Sequence, residues 1–163
     1  MLSTMACGSS YHVYEPMVPV EAPIQKVMWQ EYSNSAFIVS ERTEKPVLIY
    51  LSAKDCKFCR KMNDVVFVDE EVIKYINLNF IPIKMMSSEE KFFDIVSELN
   101  LDSDGGVYFP TMAVFSSTDK HEGIVKHSGY LAPDEFKEFL RLGKDVNTLM
   151  MLNIILGGLF LGE

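Results

Sequence analysis

The chain has 163 residues, enough for one domain with a substantial core plus extensions and too few for two full domains. Hydrophobic residues make up 48% and charged residues 23%, which excludes a disordered polymer. The formal net charge of −8 argues against a nucleic-acid partner, because phosphate binding needs a basic face.

Residues 1–22 carry Gly8-Ser9-Ser10 and then Pro16 and Pro19, with Pro23 next, so they predict an extended leader or tether with little helix. Of the three cysteines, two form a close pair and Cys7 is left over. Its context, Leu2-Ser3-Thr4-Met5-Ala6-Cys7-Gly8-Ser9-Ser10, resembles the end of a bacterial lipoprotein signal, with a small residue before the cysteine and a Gly/Ser tether after it. Thr4 matches that pattern poorly, and neither a basic n-region nor a full apolar stretch precedes it. Two readings stay open: Cys7 is lipidated and anchors the chain to a membrane, or it is an ordinary thiol.

Pro23 suits a helix start, and Ile24, Val27, Met28, Tyr32, Ala36 and Val39 recur at helical spacing up to the polar run Ser40–Lys45. Trp29 and Phe37 widen that stripe, with Trp29 read as a core anchor. The apolar run Pro46–Ser52 then predicts a strand leading to Cys56-Lys57-Phe58-Cys59 at the start of a helix. First-turn N–H groups lack intrahelical partners and carry the positive end of the helix dipole, so they stabilise a thiolate relative to a thiol. Cys56 is therefore the expected nucleophile. Cys59, three residues on, lies on the same helical face, deeper and in reach of a disulfide with Cys56. Lys54, Lys57, Arg60 and Lys61 push the Cys56 pKa down, while Asp55 pushes back. A zinc site would need two more ligands at short spacing, and His121 and His127 lie far downstream. An inert, buried cysteine pair is the other alternative.

Asp69 caps a predicted helix carrying Val72, Ile73 and Ile76. Asn79–Met86 reads as a strand that Pro82 confines to an edge or a bulge. Ser87 and Glu90 fit a capping box for the helix bearing Phe92, Phe93, Ile95, Val96 and Leu99, which ends in the loop Asn100–Gly106. Phe109–Phe115 and Gly123–His127 flank the turn-like Ser116–Lys120 and predict a hairpin. Pro133, Asp134 and Glu135 open a final helix with Phe136, Phe139 and Leu140 inward and Gly143 past its end. The order α-β-α-α-β-α-β-β-α implies an α/β domain over 23–143: a mixed central sheet of about four strands with helices on both faces. Residues 144–163 form an apolar extension, and Leu149–Leu161 is too short to span a membrane; packing on this domain or on a second copy is expected.

Lys45–Tyr50, Cys56–Met62, Val66–Val72, Phe109-Pro110-Thr111 and Ser128-Gly129-Tyr130 together resemble the thioredoxin superfamily. Within it, they are similar to thioredoxin-like domains related to the C-terminal domain of the thiol:disulfide interchange protein DsbD. The resemblance covers about Trp29 to Leu142 and implies a thioredoxin-like fold. It makes Pro110, which alone reads as an ordinary trans proline opening a strand, the cis-proline facing the disulfide. Phe109 would offer its backbone to a substrate peptide, and Lys57 and Phe58 would share that surface. Two positions depart from the family: Asp55 stands where an aromatic residue is common, and Tyr50 where a buried acid aids proton transfer. A tyrosine cannot serve as a carboxylate base, which leaves water or Lys57 to deprotonate Cys59.

The expected function is thiol–disulfide exchange with protein substrates, reducing rather than oxidising, with no bound cofactor and no metal. The partners are then a protein disulfide and a thiol/disulfide electron-donor protein. The alternatives are a redox-inactive binding or chaperone module on the same fold, and an assembly subunit that self-associates through 149–161. The setting is the periplasmic side of a bacterial cell envelope, or else the cytoplasm.

Overall fold

The computed structural model describes residues 26–102, 106–118 and 123–160. The lipidation reading of Cys7, the leader 1–22, the helix start at Pro23, and His121 all lie outside them. Strand β1 (Val47–Ser52) is buried at every position, and so needs cover on both faces. It is one of the two inner strands of a mixed four-stranded sheet in the order β2-β1-β3-β4. β2 (Ile81–Met86) is parallel to β1, while β3 (Thr111–Phe115) is antiparallel to β1 and forms the predicted hairpin with β4 (Gly123–Ser128).

Alternation along β1 splits the core in two. Leu48 and Tyr50 face Val72, Ile73, Ile76, Phe136 and Leu140, from α3 (Glu70–Asn79) and α5 (Pro133–Phe160). Val47, Ile49 and Leu51 face Ala36, Phe92 and Val96, from α1 (Asn34–Thr43) and α4 (Phe92–Glu98). Helices therefore cover both faces of the sheet. Asp69 caps α3 as expected, its Oδ1 accepting the Val72 N–H at 2.9 Å.

Three local expectations are overturned. The helical stripe before Val39 is not a helix through Tyr32: the Gln30 N–H donates to the Pro82 carbonyl (2.9 Å) and its carbonyl accepts from Lys84 N–H (3.1 Å), making a bridge outside β2. The Asn77 side chain binds Met28 N–H and the Lys26 carbonyl, and Met28 and Val39 are exposed. A sheet edge in reach supplies backbone partners that helical spacing cannot foresee, so α1 starts only at Asn34. The same bridge explains Pro82, whose missing N–H lies on the edge away from β1.

The Ser87/Glu90 capping box does not form. Ser87 N–H instead extends the β1–β2 pairing to the Ser52 carbonyl (2.9 Å), and Glu89 Oε1 accepts the Met86 N–H (2.7 Å). Gly143 does not end α5, which continues to Phe160. A Cβ there would stand 2.8 Å from Val114 Cγ2, so this glycine admits β3 close to the helix. Beyond it, Leu149, Leu152 and Ile154 are exposed, so these three do not pack on the domain. Asn147 instead fastens α5: its Oδ1 accepts the Ser117 N–H (2.9 Å) and its Nδ2 donates to the Glu44 carbonyl (3.3 Å).

Candidate functional site

β1 ends at Ser52, and the chain turns through Ala53–Asp55 to Cys56, the N-cap of α2 (Lys57–Lys61). Cys56 is extended (φ −84°, ψ 107°), and its Sγ accepts the Cys59 N–H at 2.9 Å. The side chain thus does what a capping Ser or Asp does, satisfying one orphan donor of the first turn. Cys56 and Cys59 are disulfide-bonded with their Cα atoms 5.2 Å apart. Cys56 is partly accessible, whereas Cys59 is 1% exposed.

α2 runs directly into a π-helical turn, Met62–Val66, closed by Phe67 N–H on the Met62 carbonyl (2.9 Å). The turn buries Met62 and Val66 in the core that holds Tyr50. On the other side, antiparallel pairing sets Thr111 opposite Leu51 and so brings Phe109 and Pro110 to the same pole as Cys56. The Phe109–Pro110 peptide bond is cis. The Pro110 carbonyl accepts from Gly129 N–H (2.7 Å), and Thr111 Oγ1 donates to the Tyr108 carbonyl (2.8 Å), which fixes the loop against β4.

A cleft of about 480 Å³ lies between the two segments. Lys54, Asp55, Cys56, Lys57, Phe58 and Phe109 line it, so most of the residues singled out from the sequence meet here. Val107 and Tyr108, not singled out, join them. Cys59 lies buried, and Pro110 follows Phe109 on the loop. Arg60 is exposed on α2 outside the cleft lining, and Cys7 lies outside the described residues. Phe58 and Tyr108 are 53% and 58% exposed. Lys61 Nζ stands 4.0 Å above the Tyr130 ring.

Tyr50, at the expected place of a buried acid, is wholly buried, and its hydroxyl donates to the Cys59 carbonyl at 3.3 Å. Burial raises its pKa, against a smaller opposing effect of the Ser52 hydrogen bond. The phenol stays protonated and grips the backbone. Sequence reasoning passed over Lys84, aligned with Tyr50 in the sheet register, and its partner Asn63. Lys84 Nζ donates to Asn63 Oδ1 (3.2 Å) and lies 5.6 Å from the Tyr50 ring, and burial lowers its pKa. The available signal was a lysine inside the apolar strand Ile81-Pro82-Ile83-Lys84-Met85-Met86. An accessible sulfur on a helix N-cap with a second, buried sulfur in bonding reach can alternate between dithiol and disulfide.

The model of the Thioredox_DsbH family, described as a protein of unknown function, DUF255, matches residues 19–144. A Caenorhabditis elegans relative, the uncharacterized protein B0495.5, is 26% identical over 122 residues; these are 74% of this chain and 16% of that protein. This chain thus spans about one sixth of the length of that relative. Among solved structures, a thioredoxin from Thermus thermophilus superposes with a TM-score of 0.59 at 18% identity, covering 71% of this chain and 85% of the other. A DsbH oxidoreductase gives 0.59 at 12% identity over 84% and 95%. The Neisseria meningitidis DsbD C-terminal domain in its oxidised form gives 0.51 at 18% identity over 70% and 98%. The fold is thioredoxin-like, as the sequence resemblance implied.

Proposed function

This chain belongs to the Thioredox_DsbH family, and on that premise we propose that it is a thiol–disulfide oxidoreductase acting on protein disulfides through Cys56 and Cys59. The observation that carries the reading is the asymmetric sulfur pair: Cys56 accessible at the head of α2, Cys59 buried and bonded to it, next to the Phe109–Pro110 loop.

In the proposed reaction the Cys56 thiolate attacks one sulfur of a partner disulfide. A Cys56–partner disulfide forms, the partner S–S bond breaks, and the departing thiolate takes a proton from water. Cys59 then gives its proton to water and attacks Cys56 Sγ; the Cys56–partner bond breaks, and the second partner thiolate leaves and takes a proton from water. Two electrons pass to the partner, which leaves as a dithiol, while Cys56 and Cys59 become a disulfide. A thiol/disulfide electron-donor protein restores the dithiol by the reverse exchange. Among the described residues no hydrogen bond engages the Phe109 backbone, which supports its pairing with an extended substrate.

We take the reducing direction. Cys56 Sγ receives one N–H, and Asp55 stands among the exposed cations around it. A powerful oxidant draws on strong stabilisation of its reduced form by many donors, and the single N–H on Cys56 Sγ supports the reducing reading instead. The proposed place is the periplasmic side of a bacterial cell envelope; among the described residues no helix is long and apolar enough to cross a membrane. Recovery with cytoplasmic markers on cell fractionation overturns that placement. The exposed Leu149, Leu152 and Ile154 keep self-association through the end of α5 as a proposal, tested by light scattering of a tail deletion.

The test is Cys59→Ser, which leaves Cys56 able to attack but nothing to resolve the product. It should accumulate covalent partners, released by reductant, in cell extracts, and insulin reduction with dithiothreitol should be lost in Cys56→Ala. Client binding unchanged in Cys56→Ala, with no insulin reduction by the unsubstituted protein, sinks the enzyme reading in favour of a binding module.

A further inference from the structure

We propose that the disulfide this site prefers lies on an extended, acidic segment of a partner protein, with an aromatic or large aliphatic side chain beside the cysteine; the proposal rests on the exchange reading above. The chain carries a net charge of −8, yet Lys54, Lys57, Arg60 and Lys61 all stand exposed around the dithiol. Among the described residues none of these four is in an ion pair, and within 54–61 Asp55 is the lone carboxylate. An acidic segment is therefore repelled by the molecule at large and attracted at the reactive sulfur, so it approaches in one orientation. A basic segment meets like charge where it must come closest.

The cleft adds a second requirement. Phe58 and Tyr108 line it and are both more than half exposed, beside a sulfur that has to admit a partner. Such uncovered rings gain most from an apolar side chain next to the incoming cysteine. Lys54 and Lys57 line the same cleft and meet the carboxylates that flank that side chain. Among the described residues no hydrogen bond engages the Phe109 backbone, so an extended segment can pair with it.

The experiment uses the full chain, reduced with dithiothreitol and desalted, and symmetrical disulfide dimers of short peptides with Glu-Phe-Cys, Lys-Phe-Cys or Glu-Ser-Cys cores. Glutathione disulfide serves as a small acidic comparison. Each rate is divided by that of the same disulfide with dithiothreitol alone, which removes differences in intrinsic reactivity. The Glu-Phe-Cys dimer should react about tenfold faster than the Lys-Phe-Cys dimer at low salt, and the ratio should fall toward one at about 0.5 M salt. The Lys54→Glu/Lys57→Glu variant, altered only at exposed positions, should invert the ratio. Equal normalised rates for acidic and basic dimers, for Phe and Ser dimers, or for glutathione disulfide and the Glu-Phe-Cys dimer overturn the specificity and leave the exchange reading standing. No reduction of any of the disulfides overturns both.

Discussion

Replacing Gly143 with alanine tests whether that glycine is a packing device or a weak point in a helix. A Cβ at this position would stand 2.8, 2.9 and 3.0 Å from Cγ2, Cγ1 and Cβ of Val114, whose side chain is wholly buried. Val114 is β-branched, and one of the three atoms is its own Cβ, so no rotamer clears every contact. Either α5 or β3 has to shift. Overpacking of this kind costs about 1–3 kcal/mol, and alanine returns about 1 kcal/mol of helix propensity. With the cost near the upper end, the net loss is about 1–2 kcal/mol, which lowers Tm by about 2–8 °C in a chain of this length. Thermal unfolding of the oxidised protein followed by circular dichroism measures it. Val114→Ala removes both γ carbons, so the double variant should lose less than the sum of the single losses by about 1 kcal/mol. A higher Tm for Gly143→Ala would refute the close approach and leave the glycine as a propensity defect alone.

Burial lowers the Lys84 pKa below its usual 10.5, so between the lowered value and 10.5 the folded chain binds fewer protons than the unfolded one. Stability contributed by this group therefore rises with pH across that window, and the burial penalty is fully present below it. Urea unfolding at about pH 7.5 and about pH 10 should show the unsubstituted protein gaining on Lys84→Met as pH rises, whereas a pH-independent difference rules out a buried ammonium. Asn147→Ala leaves the buried Ser117 N–H without its acceptor, and should lower stability by about 1–3 kcal/mol in urea titrations. An unchanged midpoint would mean that water replaces the amide.

The order of helices and strands, the cysteine pair at a helix start and the inward faces of α3 and α5 were all readable from the chain. Each depends on spacing along a single element: apolar residues at helical intervals, an unbroken apolar run for a strand covered on both faces, Asp69 at a cap. The failures share a cause as well. Residues 26–33 look helical until the edge of β2 offers Gln30 partners, and Gly143 looks like a stop until Val114 lies against it. Ser87 looks like a cap until Ser52 claims its N–H. In each case a neighbour distant in sequence decides between two locally acceptable uses of the same residue. Part of the cleft at Cys56 is of that kind too: the family resemblance implies Phe109 beside the cysteines but not Val107 and Tyr108, and all three reach them because β3 runs antiparallel to β1 with Thr111 beside Leu51. Composition and periodicity act within a segment and determine what each segment is; strand register joins segments far apart in the chain, and only tertiary packing sets it.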